Sequence, residues 1–333
     1  MRILVTGATG LVGNNVVREL VKRGQQVRVL VRKESDVRSL QDLPVERVTG
    51  DVVDPTSVQV ALKGVDQIVH AAGRVHIGWG DWAIQRAVNV EGTRHVARAA
   101  RESGCRLLHV SSVDALGLAT PPMWANELTP TGGKTPCSYV ITKQQAETVV
   151  REEQVRGLDV VIVNPGFMLG PWDWKPSSGR MLLAVARRGV LAAPSGGCSV
   201  CDVRDVTNGL LAALQSAPTG KQYILAGYNI SYWELWRQIA TVTQVRKPLF
   251  RVGPLLRVGL GVGGDLITRL TGKEPEINSA SLSMSDLFHY YDSQLAKHEL
   301  GYRNRDFEET LRDAWHWFRT YGYAGPRPDD QPS

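Results

Sequence analysis

The sequence has no long hydrophobic run. No stretch approaches the roughly 18 apolar residues that a membrane span requires. Even the most apolar region, residues 160–169, contains Asn164 and Pro165. The first residues also lack the apolar segment of about 7–15 residues that a secretion signal carries. We therefore expect a cytoplasmic protein without a membrane span.

Cysteine is scarce as well. The chain has four cysteines, at positions 105, 137, 198 and 201. In a long chain without an export signal, they are expected to be reduced thiols rather than a disulfide framework. Cys198 and Cys201 have C-x-x-C spacing, but a zinc site needs two further ligands at a matching spacing, and none lies near them. We predict no metal site.

A basic stripe with interleaved aromatic residues, typical of nucleic-acid binders, is also missing. Lys and Arg number 39, against 33 Asp and Glu. The whole excess lies in the first 33 residues, where Glu19 is the one acidic residue among seven basic ones: Arg2, Arg18, Lys22, Arg23, Arg28, Arg32 and Lys33. This asymmetry argues against a nucleic-acid partner and favours an anionic small molecule near the N-terminus.

What the sequence does contain is a regular alternation of strand and helix patterns in its N-terminal half. This alternation predicts an α/β fold, a Rossmann-type doubly wound parallel sheet. The predicted strands are residues 3–6, 27–31, 45–49, 67–70, 107–110 and 160–163. The predicted helices are residues 11–23, 55–63 (with Asp54 as its cap), 82–103, 139–156, 232–243 and 307–321 (opened by Asp306).

The regular alternation breaks after residue 164, where prolines and glycine pairs become frequent. We expect a dinucleotide-binding domain of residues 1–164, to which residues 201–225 return. Residues 165–200 and 226–324 would form a smaller, discontinuous substrate-binding lobe, and residues 325–333 a flexible tail.

The first chemical signal is the segment Gly7-Ala-Thr-Gly10-Leu-Val-Gly13. It follows a predicted strand and opens a predicted helix, the context in which glycines let the backbone approach a pyrophosphate at a helix N-terminus. We expect the backbone of Gly7, Thr9, Gly10, Leu11, Val12 and Gly13 to bind a dinucleotide. A second match to the glycine pattern, residues 259–264, has no strand before it, and we interpret it as a glycine-rich bend.

The residues at the ends of the next strands indicate which dinucleotide binds. Arg32 and Lys33 stand where NAD-binding units carry an acidic residue, so a 2′-phosphate, and hence NADP, is favoured, with NAD possible. Asp51 and Val52 would contact the adenine. The small residues Ala71, Ala72 and Gly73 would let the cofactor lie close to the backbone.

The second chemical signal is Tyr139 with Lys143 on a predicted helix, together with Ser112 after a strand. The i, i+4 spacing places the phenol and the ammonium on one helical face. A free tyrosine, with a pKa near 10, needs a neighbouring cation to act as an acid or base at neutral pH. Ser112 would hold the substrate oxygen.

These motifs together resemble the extended short-chain dehydrogenase/reductase family (the NAD-dependent epimerase/dehydratase superfamily), in its dihydroflavonol-reductase-like and hopanoid-associated sugar-epimerase-like branch. The resemblance rests also on His70-Ala-Ala-Gly73, Asn89-Val-Glu-Gly-Thr93 and Asn164-Pro-Gly-Phe-Met-Leu-Gly-Pro171. It implies Ser112, Tyr139 and Lys143 as the catalytic set, with Tyr139 and Lys143 also at the cofactor. It further implies that Pro165, Gly166, Phe167 and Met168 pass near the nicotinamide, and that the protein forms a homodimer.

The sequence leaves two classes of substrate open. Trp79, Trp172 and Trp174 favour an apolar or ring-bearing small molecule, whereas Arg180 could meet the diphosphate of a nucleotide sugar. The leading hypothesis is an NADP-dependent oxidoreductase that acts on a ketone or secondary alcohol. The alternatives are a nucleotide-sugar epimerase or dehydratase with tightly bound NAD(P), and a non-catalytic dinucleotide sensor.

Overall fold

A computed structural model describes residues 1–120 and 122–324, apart from the side chain of Arg188. The predicted tail, residues 325–333, lies outside the described residues. The strands are β1 Arg2–Thr6, β2 Gln26–Val31, β3 Glu46–Thr49, β4 Gln67–His70, β5 Arg106–Val110, β6 Val160–Pro165, β7 Phe167–Leu169, β8 Ala192–Ala193, β9 Gly197–Asp202, β10 Gln222–Leu225, β11 Tyr228–Ser231, β12 Phe250–Arg251 and β13 Phe288–His289.

The helices are α1 Leu11–Lys22, α2 Pro55–Leu62, α3 Trp82–Gln85, α4 Gly92–Glu102, α5 Ser138–Val155, α6 Gly179–Arg188, α7 Val203–Ser216, α8 Tyr232–Thr243, α9 Pro254–Thr271, α10 Ser279–Ser285, α11 Gln294–Leu300 and α12 Phe307–Thr320. A π-helical segment, Arg86–Glu91, joins α3 to α4, so the predicted helix 82–103 is one continuous rod with a local widening.

The main sheet has seven parallel strands in the order β10-β6-β5-β4-β1-β2-β3. Its central strands are largely apolar because helices cover both faces, and every residue of β6 is buried, whereas the edge strand β3 is mostly exposed. The order reverses between β1 and β4. In such sheets, ligands bind beyond the carboxyl ends of the strands at this reversal. The predicted fold class is confirmed.

Helix ends follow the local sequence. The Asp54 carboxylate accepts hydrogen bonds from Thr56 N (3.0 Å) and Ser57 N (3.2 Å), which caps α2. Asp306 caps α12 in the same way through Glu308 N and Glu309 N. The Glu309 carboxylate pairs with Arg305 (3.1 Å).

The remaining strands form a smaller sheet. In it β9 pairs with β11, β13 and β7, and helices α6, α8 and α12 pack around an apolar core. Strand β10 pairs in register with β6, so the segment after α7 lies in the main sheet. The boundaries of the predicted lobe stay a prediction.

The interpretation of residues 259–264 as a bend is wrong, because they lie inside the 18-residue helix α9. Glycine costs helix stability, but here it permits close packing. A Cβ at Gly261 would lie 3.1 Å from Ser279 Cα, and one at Gly264 would lie 2.1 Å from Ile277 O. The glycines are therefore needed where α9 meets the start of α10.

Candidate active site

A tight turn connects β1 to α1 at the reversal point of the sheet. Gly7 has a φ of 72°, and a Cβ there would lie 2.5 Å from Ala71 O. A Cβ at Gly13 would lie 2.2 Å from Gly7 O. Only glycine fits these two positions. Helix α1 begins without a side-chain cap, so its first N–H groups are free to bind an anion.

This turn forms one wall of a cleft of about 480 Å³. Most of the predicted cofactor-binding residues line it. They are Gly7, Thr9, Gly10, Leu11, Val12, Gly13, Arg32, Asp51, Val52, Ala71, Ala72, Gly73, Tyr139, Lys143 and Met168. The fold thus gathers residues from positions 7 to 168 along one edge of the sheet.

Two neighbouring cations at the end of β2 take different positions. Both side chains are exposed. Arg32 lines the cleft, whereas Lys33 is not among the described residues that line it. Asp51 is fixed across the cleft, since its backbone N–H donates to Ser57 Oγ (3.0 Å) and its Oδ1 accepts from Val53 N (3.2 Å).

Tyr139 and Lys143 line the cleft, whereas Ser112, which follows β5, is not among the described residues that line it. The Ser112 hydroxyl lies close enough to the Tyr139 phenol to lower its pKa, and Ser112 Oγ donates to Asp114 Oδ2 (3.4 Å). Asp114 N donates to Ser112 Oγ (3.1 Å), and Lys143 Nζ donates to Val110 O (3.1 Å). These bonds fix the side chains of Ser112 and Lys143 at the carboxyl end of β5, and Tyr139 lies one helical turn before Lys143 on α5.

Burial sets the protonation of this group. Desolvation, aided by Asp114, raises the pKa of Tyr139 above its ordinary value, and the neighbouring Ser112 hydroxyl opposes this rise. Desolvation lowers the pKa of Lys143 to about 8, although Glu147 and Asp114 favour its charged form. The site therefore holds a protonated phenol beside a lysine that titrates close to neutral pH.

A buried polar network lies behind these residues. Glu147 Oε1 accepts hydrogen bonds from Ser111 Oγ (2.6 Å) and Asn164 Nδ2 (2.6 Å). Asn164 Nδ2 also donates to Ser112 O (2.8 Å). The network connects α5, β5 and β6, so it fixes the backbone on which Ser112 stands.

Of the predicted nicotinamide segment, Met168 lines the cleft. Pro165, which ends β6, Gly166 and Phe167, which begins β7, are not among the described residues that line it, and their contact with the cofactor stays a prediction. A Cβ at Gly166 would lie 2.6 Å from Ser199 O, so this glycine permits the close contact between the segment and β9.

The tryptophans that the sequence assigned to the substrate lie elsewhere. Trp172 and Trp174 pack in an aromatic cluster with Trp317 and Tyr321, and the Arg18 guanidinium lies 3.4 Å from the Trp172 ring centre. Trp79 is half exposed. Among the described residues none of these three tryptophans lines the cleft, and their role at the substrate stays a prediction. Arg180 does line the cleft and pairs with Glu276 (2.6 Å).

Sequence reasoning missed several residues that line the cleft: Arg74 and Val75 after β4, Ile84 in α3, and Pro176 and Ser177 before α6. No strand-end or glycine signal marks them. Asn89, which belonged to a recognised motif, accepts a hydrogen bond from Arg74 N (2.7 Å) and donates to Arg74 O (3.0 Å). The motif therefore holds the loop that carries Arg74 and Val75.

Asp173 supports the start of α6, which carries Arg180. Its Oδ2 accepts a hydrogen bond from Gly179 N (3.3 Å), and burial raises its pKa to about 6. Below about pH 3 this carboxyl is protonated in both the folded and the unfolded chain. As the pH rises to 6, the unfolded chain loses the proton first, so the free energy of unfolding falls.

We therefore expect Asp173→Asn to raise the free energy of unfolding at pH 8, by up to about 3 kcal/mol, and to raise it by no more than about 0.5 kcal/mol at pH 4. Denaturant unfolding at both pH values measures this difference. Asp42→Asn is the control with the opposite sign, because the Arg18 bond lowers the pKa of Asp42. A loss of stability in Asp173→Asn at pH 8 would contradict the expectation.

The described residues contain no group of three or more His, Cys, Asp or Glu side chains that could hold a metal ion. The four cysteines are buried free thiols. Among the helices in the described ranges, none has the length and apolarity needed to cross a bilayer.

Comparison with known proteins identifies this arrangement. Residues 3–226 match the NAD dependent epimerase/dehydratase family. The chain belongs to this family. A 2-alkyl-3-oxoalkanoate reductase of Stenotrophomonas maltophilia is 30% identical over 94% of this chain and 98% of its own length. Sterol demethylase protein B of Methylococcus capsulatus is 36% identical over 97% of this chain and 99% of its own length.

A solved structure supports the same assignment. The crystal structure of gox2253 is 35% identical in sequence, with a TM-score of 0.85 over 96% of this chain and 98% of that one. The protein is thus an NAD(P)-dependent enzyme of the extended short-chain dehydrogenase/reductase type. The two glycine positions with no room for a Cβ and the uncapped start of α1 fit the pyrophosphate of such a cofactor.

Proposed function

We propose that this enzyme reduces a ketone of a small, largely apolar substrate, or oxidises the corresponding secondary alcohol, with NADP as its cofactor. One observation carries the proposal: Tyr139 and Lys143, one helical turn apart on α5, line the same cleft as the glycine turn, and Ser112 lies beside the Tyr139 phenol. A proton donor and a cofactor cradle thus face the same space.

The three side chains have distinct roles in this proposal. When bound, the reduced cofactor supplies a hydride to the carbonyl carbon. Ser112 donates a hydrogen bond to the carbonyl oxygen and positions it. Tyr139 then transfers its phenolic proton to that oxygen, and in the oxidative direction it takes the proton back. The Lys143 ammonium stabilises the phenolate on the same helical face.

The preference for NADP rests on Arg32. A guanidinium binds a 2′-phosphate through two charge-assisted hydrogen bonds, and the cleft has Arg32 and Ser35 at this position instead of a carboxylate. NAD would lose this pairing and bind more weakly.

The apolar substrate is supported by the outer part of the cleft. Val75, Ile84, Pro176 and Met168 line it, and Val75 and Ile84 are 46% and 53% exposed. Two relatives carry names that refer to apolar substrates, a sterol and a 2-alkyl-3-oxoalkanoate. We expect NADPH-dependent reduction of alkyl-substituted or cyclic ketones, measured by the loss of NADPH absorbance over a panel of carbonyl compounds.

A nucleotide-sugar epimerase or dehydratase is the second candidate, because Arg180 and Lys175 line the cleft. Arg180 is already paired with Glu276, so a diphosphate would have to displace a carboxylate. We expect UDP- and GDP-sugars neither to raise the Tm of the NADP complex nor to be turned over.

The control for this expectation is Arg187→Ala, which removes an exposed arginine whose guanidinium donates to Tyr323 O (3.1 Å). Stabilisation by a nucleotide sugar that Arg180→Ala abolishes and Arg187→Ala keeps would favour the epimerase. The homodimer that the sequence resemblance implies stays a prediction.

A further inference from the structure

Helix α9 turns its polar side inward and its apolar side outward. Gly261 and Gly264 face α10, Asp265 Oδ1 accepts a hydrogen bond from Ser279 N (3.1 Å), and Arg257 pairs with Asp286. The outward residues are between 42% and 91% exposed: Leu255, Leu256, Val258, Leu260, Val262, Leu266, Ile267 and Leu270. At about 100° per residue they fill an arc of about 200°, in which Arg269 is the one charged residue.

The flanks of this apolar face are cationic. Between positions 246 and 273 the chain has six basic residues, and Asp265, which is bonded inward, is the one acidic residue. Five of the basic side chains are exposed: Arg246, Lys247 and Arg251 before the helix, Arg269 near its end and Lys273 after it. A continuous apolar face with basic residues at both ends complements the interface of an anionic bilayer.

The end of α9 also adjoins the substrate end of the cleft. In the loop that follows, Glu274 accepts hydrogen bonds from Trp79 N (2.8 Å) and Gly80 N (2.7 Å), and His76 Nε2 lies 2.7 Å from its carboxylate. Glu276 pairs with Arg180, which lines the cleft. The half-exposed Trp79 donates its indole N–H to Ser279 Oγ (2.7 Å), next to the same helix.

We propose that the surface formed by α9 and its basic flanks binds anionic phospholipid bilayers, with the helix lying in the plane of the interface. The large outward arc and the inward hydrogen bonds fix this orientation. Docking brings the open end of the cleft to the membrane, where apolar ketones concentrate. This last step rests on the proposed function, but the docking itself does not.

Vesicle sedimentation tests the docking without any substrate. We expect the full-length protein to partition at least about tenfold more strongly to vesicles of 70% phosphatidylcholine and 30% phosphatidylglycerol than to pure phosphatidylcholine. Leu270→Glu should weaken this partition by about tenfold, because it places a negative charge in the apolar face. Leu128→Glu is the matched control, since Leu128 is 89% exposed in a distant part of the sequence, and it should bind as the wild type does.

Both variants change an exposed side chain, so each should keep the wild-type Tm and NADP affinity. Equal partition of the wild type to the two kinds of vesicle, or full binding by Leu270→Glu, would overturn the proposal. Light scattering tests whether a second copy of the protein occupies the α9 face instead. If the wild type forms an oligomer that Leu270→Glu dissociates, and if it does not bind vesicles, α9 would be assigned to contact between two copies. Failure of ketone reduction with intact vesicle binding would refute the proposed function alone.

Discussion

Tyr139→Phe should lose about 10²–10⁴ in turnover, the usual contribution of a positioned acid or base, while the affinity for NADP changes little. The substitution removes one oxygen from a buried ring. The neighbouring Ser112 keeps its bond from Asp114 N, so the local backbone is retained. The variant lacks the phenolic proton that the substrate oxygen must receive.

The burial of Tyr139 explains why water does not replace this proton donor easily. The phenol is buried and stays protonated at neutral pH, and the Lys143 ammonium can stabilise the phenolate that forms when the proton leaves. Solvent has poor access to the same position. Phenylalanine leaves the shape of the cleft intact but supplies no proton.

Turnover of a ketone identified in the substrate panel, together with NADP titration by intrinsic fluorescence, measures this effect. Tyr228→Phe is the matched control, because Tyr228 is 43% exposed and lies in β11, and we expect it to keep wild-type turnover. Turnover within about threefold of the wild type in Tyr139→Phe would remove this residue from the mechanism. A drop in both turnover and NADP affinity would indicate a structural role instead.

The sequence predicted the main sheet well because its signals are local. The apolar runs of β1, β4 and β6 and the cap at Asp54 need no distant contact to be recognised. Because six predicted parallel strands end at the same edge of the sheet, the residues that follow them must lie close together. Most of the residues that line the cleft could therefore be predicted from the sequence. Arg32 and Asp51 belong to it for that reason.

The substrate end could not be predicted in the same way. The contact of Glu274 with the loop around Trp79 spans 195 positions, and the pairing of Arg180 with Glu276 spans 96. No periodicity connects such residues. Trp172 and Trp174 illustrate the same difficulty, since an aromatic side chain fits a lobe core as well as a pocket, and here both lie against Trp317.

Helix α9 shows a further limit. Its glycines suggested a bend, because glycine disfavours helices when neighbours are ignored. The close approach of Gly261 to Ser279 and of Gly264 to Ile277 outweighs that cost, and it becomes visible only when α10 is in place. The same packing turns the leucines outward.

Cofactor preference should reverse in Arg32→Asp. In the wild type, Arg32 places a permanently charged guanidinium at the end of β2. We expect NADP to bind at least about tenfold more tightly than NAD, because a hydrogen bond to a charged group contributes about 1.5–3 kcal/mol. The aspartate repels the 2′-phosphate and gives the ribose hydroxyls of NAD an acceptor. NADP affinity should fall by about 10²-fold or more, and NAD should become the better ligand.

Lys33→Asp separates this local effect from a general change of charge. It alters the net charge by the same amount one residue away, but Lys33 lies outside the described lining of the cleft. We expect Lys33→Asp to change NADP affinity by less than about threefold, and this remainder should vanish at high salt, because exposed charges are screened. Equal affinities of the wild type for NADP and NAD, or equal losses of NADP affinity in the two variants, would show that Arg32 does not read the 2′-phosphate.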